Sequence, residues 1–290
     1  MGAVQAVTVE PDGDGGRLSA GQFYGDVALR RTVAGLILTE THYGADAAFP
    51  RHSHDLAYFS FLIGGAHQEQ VARRELGYRP FVANFHLLGE EHSGLVRGGS
   101  RMFVLELDQG WVARVPGREI VPGQGRALQG VAPVQLAARL YHEFRLDDPC
   151  SPLAIEGLAC EMLAAATRRR QPETQRPGWL ARVEELLREE ADGRPDLAHI
   201  AGEAGVHPMH VARVFRRHHG LSMGGYLRRL KVESACASLA RPGASLADVA
   251  AGLGFTDQSH FTRTFKAATG LTPGRFRDAA LGRRRVARVS

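Results

Sequence analysis

The hydrophobic pattern changes its period once along the chain. Between about residues 31 and 108, apolar residues run in short blocks or alternate with polar ones. GLILTETHYG, AYFSFLIGG, PFVANFHLL and RMFVLELD are the clearest cases, and Gly, Pro and Asn break them apart. This spacing predicts the strands of a small β-barrel or sandwich. The period then becomes helical. In VQLAARLYHEF, Leu136, Leu140 and Phe144 recur at i, i+4 and i+8. In SPLAIEGLACEMLAAATRRR, Ile155, Leu158, Met162 and Ala166 share one face, with Ser151 expected as the N-cap and Pro152 at the first helical position. RRRQPETQRP is polar, carries two prolines and reads as a linker. The rest is helical, with turns at Gly220, 241–245 and Gly270. The fold class expected is therefore α+β in two domains. The expected division is a barrel with following helices over 1–167, a linker over 168–178, an all-α domain over 179–278 and a basic tail over 279–290.

The helical part contains an internal repeat. HIAGEAGVHPMHVARVFRRHHGLS aligns with DVAAGLGFTDQSHFTRTFKAATGLT. Ile200-Ala201 falls on Val249-Ala250 at an offset of 49, while Phe215 falls on Phe265 and Gly220-Leu221 on Gly270-Leu271 at an offset of 50. Each copy reads as a helix-turn-helix: a short helix with small apolar residues, a glycine break, and a second helix starting a few residues on. In the second copy Ser245 is expected to cap the first helix. Phe255 would pack into the turn, Thr256 would cap the second helix, and Asp257 would complement its dipole.

At 100° per residue the second helix of each copy divides into two faces. Phe261, Thr264, Phe265 and Ala268 point inward in one, and Val211, Val214, Phe215 and His218 in the other. The outward sets are Gln258, Ser259, Thr262, Arg263 and Lys266, with His260 beside them, and Met209, Ala212, Arg213, Arg216 and Arg217, with His210 at the margin. Small side chains permit close approach, amides and guanidinium forks can read base edges, and further cations can hold phosphate. The same faces would also suit ordinary solvated helices, but two basic copies favour a major-groove role.

Charge sharpens this picture. The 290 residues carry a formal net charge of +5, but residues 176–290 hold 19 Lys+Arg against 11 Asp+Glu, leaving the first 175 residues at −3. The helical half is the one suited to a polyanion. Three scattered cysteines (Cys150, Cys160, Cys236) supply neither a disulfide framework nor a zinc finger. No run approaches the length of a membrane span, and the first residues do not read as a signal peptide, so a cytoplasmic, nucleoid-associated protein with no membrane partner is expected.

The stretch VAAGLGFTDQSHFTRTFKAATGLTPGRFR resembles the signature of AraC/XylS-type transcription regulators: a small pair before the turn, Gly-Phe, then Ser259, Phe261, Arg263, Phe265-Lys266, Gly270, Pro273 and Arg277 at matching spacings. The resemblance runs from roughly Trp179 to Arg277. It implies seven helices in two helix-turn-helix units joined by a long helix, Met223 to Leu239, capped by Ser222. It also implies recognition helices at 208–218 and 257–268 that enter successive major grooves of double-stranded promoter DNA. The first unit departs from the pattern, since His207 stands where a small hydroxyl cap is usual, with Pro208 compensating in part. RNA polymerase would be a further partner of an activator.

In the strand region, His52-x-His54 and the later His92 resemble a degenerate cupin barrel, an effector domain common beside such DNA-binding units. This implies a small-molecule effector bound near His52, His54 and His92, and no enzyme. Metal-binding cupins place a carboxylate four or five residues after the His-x-His, where this chain has Tyr58 and Phe59. No cofactor is therefore expected, although three neutral imidazoles remain able to hold a divalent metal. A metal-dependent barrel enzyme and a regulator without a ligand stay as alternatives. His67-Gln68-Glu69 reads as isolated. The helices at 133–170 are expected either to cover the barrel or to pair two subunits as a homodimer.

Overall fold

A computed structural model describes residues 16–71, 74–115, 126–127, 131–167, 177–189 and 196–281. Most of the expected linker and of the basic tail lies outside these residues. The chain is α+β, as its periodicity indicates. Its first part contains β1 (Arg17–Leu18), β2 (Asp26–Val33), β3 (Leu36–Tyr43), β4 (Ala48–His54), β5 (Ala57–Val71), β6 (Arg74–Gly77), β7 (Asn84–His86), β8 (His92–Leu107), the short helix α1 (Gln109–Arg114) and β9 (Arg126–Ala127). These strands form one sheet in the order β1-β4-β8-β5-β7-β9, with β3 also on β8, β2 outside β3 and β6 on β5. The 16-residue β8 carries the sheet: one edge pairs with β5, the other with β4 and then β3.

The strand β5 shows how the sheet gets an inside and an outside. Its first half alternates Tyr58 and Ser60 on one face with Phe59, Phe61 and Ile63 on the other. Register shifts against β8 occur at Leu62/Gly64 and at Gly65/Ala66. An irregularity of this kind breaks strict alternation. Beyond it His67 and Glu69, of opposite parity to Tyr58, line the same interior. Gly65 is needed there: its φ is +87°, and a Cβ would fall 2.1 Å from the Gly99 carbonyl oxygen.

Helices α2 (Val131–Leu146) and α3 (Ser151–Thr167) follow. The apolar face of Leu136, Leu140, Ile155, Leu158 and Met162 is buried within this chain, in one core with Phe59, Phe61, Phe103 and Leu105 on the outside of the sheet. That face covers the barrel and is not left open for a second subunit. The start of α3 differs from expectation. Ser151 is its first residue, and the Asp148 carboxylate accepts the N–H groups of Cys150 (2.9 Å) and Ser151 (2.8 Å), while the Ser151 hydroxyl donates to Glu143. A charged acceptor one turn earlier has displaced the hydroxyl as cap.

Among the described residues seven helices complete the fold: α4 (Gly178–Glu189), α5 (Leu197–Glu203), α6 (Pro208–His219), α7 (Met223–Leu239), α8 (Leu246–Gly252), α9 (Gln258–Thr269) and α10 (Pro273–Ala280). They divide between two cores. Leu180, Val183, Ile200, Val211, Phe215 and Tyr226 form one around α4–α6. Val249, Phe261, Phe265, Leu271 and Phe276 belong instead to the core that includes the barrel and α2. The Phe81 and Phe276 rings meet at 4.6 Å, Gln135 Nε2 donates to the Ala267 carbonyl at 2.7 Å, and an Arg275 guanidinium N–H donates to His142 Nε2 at 2.8 Å.

Phe265 is fully buried, with ring neighbours Phe261 at 5.7 Å and Phe276 at 5.3 Å. Phe265→Ala should cost about 3–5 kcal/mol through the cavity it leaves. Chemical denaturation checks this, and an unchanged midpoint would mean the helix face is wrongly assigned. A second prediction concerns Glu106 on β8, which is buried. Although both its oxygens accept the Gly21 N–H at 3.0 Å, burial pushes its pKa up to about 7. Its folded value lies above the unfolded one, so the native state holds the extra proton between roughly pH 4.5 and pH 7. Stability is then lost as pH rises through that window. Relative to Glu106→Gln, the native chain should lose up to about 3 kcal/mol between about pH 5 and about pH 8. Parallel curves for the two proteins would refute the assignment.

Candidate nucleic-acid interface and barrel interior

The first helix-turn-helix unit is built from α5 and α6. Asp196 caps α5, accepting the Ala198 N–H at 2.9 Å, and Gly205 at φ +63° makes the break. His207 does cap α6: its Nδ1 accepts the Met209 N–H at 3.3 Å, with Pro208 at the first helical position. Gly220 in the left-handed region ends the helix. Val211 and Phe215 are buried as expected, but the third buried position is His219 and not His218. One further turn from Phe215 brings His219 onto its ring at 4.2 Å and its Nε2 to within 2.9 Å of Glu184 on α4. Met209 stands 71% exposed, and His210, Arg213, Arg216 and Arg217 share that open face. These side chains line a groove that continues to Ser222 and Gly224 at the start of α7.

The second unit is built from α8 and α9. Ser245 caps α8 by accepting the Asp248 N–H at 3.0 Å. The N-cap of α9 is Asp257 and not Thr256: its carboxylate accepts the His260 N–H from an extended backbone. A carboxylate both fills the capping position and complements the dipole, leaving Thr256 outside the helix. Phe255 packs in the turn against Phe261 at 5.3 Å, with the Lys231 ammonium over its ring. Gln258, Ser259, His260, Arg263 and Lys266 are exposed and Thr262 is half-buried, while Phe261 and Phe265 are buried. The join between the units is α7, with Ser222 as its cap through the Gly225 N–H at 3.2 Å.

Inside the barrel, His52 and His54 from β4 and His92 from β8 converge. One nitrogen from each lies within 4.8 Å of the others, and all three side chains are buried. His52 Nδ1 lies 2.9 Å from the Pro50 carbonyl oxygen, and His92 Nδ1 lies 3.2 Å from that of Glu90. A carbonyl can only accept, so both Nδ1 atoms carry the proton and both Nε2 atoms are acceptors, that of His92 facing the Tyr58 hydroxyl at 3.2 Å. His54 Nδ1 is buried and has no hydrogen-bond partner among the described residues. Burial lowers the pKa of all three rings, that of His92 to about 4, so each is neutral at physiological pH. The residues present thus fit a divalent ion that takes nitrogen ligands.

Five polar side chains join them that the sequence reading did not assign to this interior. Tyr58 stacks on His86 at 4.5 Å, and its hydroxyl lies 3.2 Å from His92 Nε2. Tyr78 reaches His86 at 3.0 Å, and His67 Nε2 lies 3.3 Å from a Glu69 carboxylate oxygen. Burial opposes the Glu69 charge, but the His67 hydrogen bond and the His86 and His92 imidazoles outweigh it and hold the carboxyl well below its usual range. His67 and Glu69 are therefore part of the barrel interior and not an isolated pair. The free space amid these groups is about 20 Å³, room for one water or one ion.

This architecture defines a two-part helix-turn-helix protein, and similarity to known proteins agrees. Residues 200–279 match a family profile described as a helix-turn-helix domain. The "Probable transcription factor PqrA" of Proteus vulgaris is 35% identical over 79 residues, covering 27% of this chain and 65% of that protein. The HTH-type transcriptional regulator GlxA of Rhizobium meliloti (strain 1021) is 32% identical over 156 residues, covering 51% and 47%. The transcriptional activator NphR of a Rhodococcus species is 29% identical over 176 residues, covering 57% and 52%. The chain thus spans between about half and 65% of the length of these relatives. A whole-chain comparison with ToxT of Vibrio cholerae gives a TM-score of 0.38 at 9% identity, over 86% of this chain and 99% of that one, too weak a likeness to argue from. Residues 200–279 thus form a helix-turn-helix domain.

Proposed function

We propose that this protein is a transcription regulator that binds double-stranded promoter DNA sequence-specifically and responds to an effector held in its barrel. One observation carries the reading. Both copies of the duplicated motif present, on a capped helix, an open face of small, amide and basic side chains: Met209, His210, Arg213, Arg216 and Arg217 on α6, and Gln258, Ser259, His260, Arg263 and Lys266 on α9. The division follows the sequence: an effector and dimerisation domain over 1–167, a linker over 168–178, the DNA-binding domain over 179–278 and a basic tail. A homodimer, a contact to RNA polymerase and a cytoplasmic location belong to the same proposal. No helix among the described residues is long and apolar enough to cross a membrane.

The salt dependence of binding tests the electrostatic part. With about 6–10 phosphate contacts, full-chain affinity for a DNA fragment selected from a random pool should fall roughly 10³–10⁵-fold between about 50 and about 200 mM salt. A flat dependence, or no selected sequence preferred over random DNA, sinks the reading.

Side chains on α9 should separate by role. Arg263→Ala, or Gln258→Ala, should relax specificity at one or two base pairs at a cost of about 1–3 kcal/mol, while Lys266→Ala should weaken all sequences alike. Equal losses on selected and random DNA for Arg263→Ala would make that guanidinium a phosphate contact.

A further inference from the structure

We infer that the cleft between α2, α7 and α9 is a binding site for a small organic acid, one anionic head on a compact apolar body, and that its occupancy sets how α9 is held. The effect on DNA rests on the regulator reading above, but the binding site does not. Three features of the structure carry it.

The first is size and lining. The cleft measures about 330 Å³, within the roughly 300–1,000 Å³ usual for organic ligands. None of its wall comes from the barrel strands. Val134 of α2, Leu221 before α7, Val232 of α7 and Ala268 of α9 give it an apolar body. Its polar groups are the guanidiniums of Arg228 and Arg229 and the Thr264 hydroxyl, and no carboxylate lines it among the described residues. A few convergent polar groups on an apolar wall fix the orientation of a ligand, and here they select a negative head.

The second is the state of Arg229. Its side chain is only 4% exposed, yet its Nε makes no hydrogen bond. Glu233 Oε1 lies 3.2 Å away without the alignment a hydrogen bond requires, and it too is left unbonded. Native proteins rarely leave buried polar atoms so. Glu233 is also shared with Arg79 at 3.3 Å, so one carboxylate serves two guanidiniums. Burial lowers the pKa of Arg229 in spite of Glu233. An anion entering the cleft meets this surplus positive charge away from bulk water, where attraction is stronger. Arg228, exposed at the same wall, adds a second cation.

The third is position. Thr264 and Ala267 on the wall alternate along α9 with Arg263 and Lys266 on its open face. Gln135 of α2 already holds the Ala267 carbonyl at 2.7 Å. A ligand seated here touches α2, α7 and α9 together. It favours whichever arrangement of α9 gives it the better contacts, and shifts the population accordingly.

The test uses the full chain and the dye anilinonaphthalene sulfonate, an organic anion whose emission rises in apolar surroundings. One equivalent should bind, and phenylbutyrate should displace it. Phenylbutanol, the same body with an uncharged head, should compete at least about 10-fold less well, because hydrogen bonds to charged groups are about twice as strong as neutral ones. Arg229→Met should weaken the acid by at least about 10-fold and leave the alcohol unchanged. Thr264→Leu fills the cleft with both guanidiniums kept, and should weaken acid and alcohol alike. Leu153→Ser, at the 78% exposed leucine of α3, should change neither. Circular dichroism establishes that the variants are folded, and the two cleft substitutions come from different helices so that one can stand if the other fails. No displacement by phenylbutyrate, equal affinity for acid and alcohol, dye binding lost with Leu153→Ser, or wild-type binding of the acid by a folded Arg229→Met or Thr264→Leu overturns the site. In a second arm, saturating phenylbutyrate should change the affinity of the full chain for its selected DNA by at least about 5-fold, the lower end of typical coupling between sites. A bound acid with no change in DNA affinity refutes the hold on α9. A chain that binds the acid but selects no DNA refutes the regulator reading and leaves the cleft site standing.

Discussion

Helix α2 has two neighbours to satisfy, and the arrangement of everything after the barrel follows from that. On one side it is pinned to the sheet through Glu40 of β3, a buried carboxylate that accepts from Arg101 at 2.8 Å, from Arg145 at 3.0 Å and from the Tyr141 hydroxyl at 3.0 Å. Burial alone would raise the pKa of Glu40, but the guanidiniums of Arg101 and Arg145 reverse this and keep it charged. A buried charge is tolerated only when it is so matched, and removing one partner would leave the others uncompensated. On its other side α2 meets α9 and α10. Gln135 bonds the Ala267 carbonyl, and the Arg139 side chain lies against Gly270, the residue that ends α9.

The two helix-turn-helix units are therefore held differently. The core of the second is continuous with the outside of the barrel, whereas the first has its own core around Phe215 and Tyr226 and is joined to the second by α7. The helix α7 also touches the barrel on its own account: Glu233 pairs with Arg229 one turn before it and with Arg79 from the loop after β6. Packed interfaces of this kind shift between discrete arrangements and do not deform smoothly. A rearrangement of the barrel wall against α2 has to be answered at α9, because the same short helix carries both the α2 contact at Ala267 and the open face at Arg263.

How much of this was legible depended on whether the controlling contact was local. Caps within three residues were readable: His207, Ser222 and Ser245 all accept from the N–H two or three residues on. The two misplaced caps share one cause. At Asp257 a carboxylate stood next to the expected hydroxyl, at Asp148 one turn before it, and each proved the stronger acceptor. The choice of His219 over His218 was set by Glu184, 35 residues away, and no helical wheel contains that information. The histidine trio was visible as a motif, but its companions were not. Tyr58 and His67 have opposite parity on β5, so strict alternation puts them on opposite faces, and only the shifts around Gly64 and Gly65 bring both inside. The paired glycines were the available signal, read as a break in the strand and not as a change of face.

The division of charge acquires a physical sense from the same geometry. The acidic balance of the first 175 residues includes Glu40, Glu69 and Glu106, which are buried and serve the barrel's own contacts, so they do little to repel an approaching polyanion. The basic balance of the remainder is largely at the surface, where Arg213, Arg216, Arg217, Arg263 and Lys266 stand exposed. Among the described residues of that half, the buried guanidinium of Arg229 is matched by Glu233 and by the Tyr226 ring at 4.5 Å. Exposed charge is what steers a partner and pairs with phosphate, while buried charge is consumed in holding the fold. The surface asymmetry therefore lies in the basic charge of the second half more than in an acidic first half, and it is carried by the two helices whose open faces the fold leaves unpartnered.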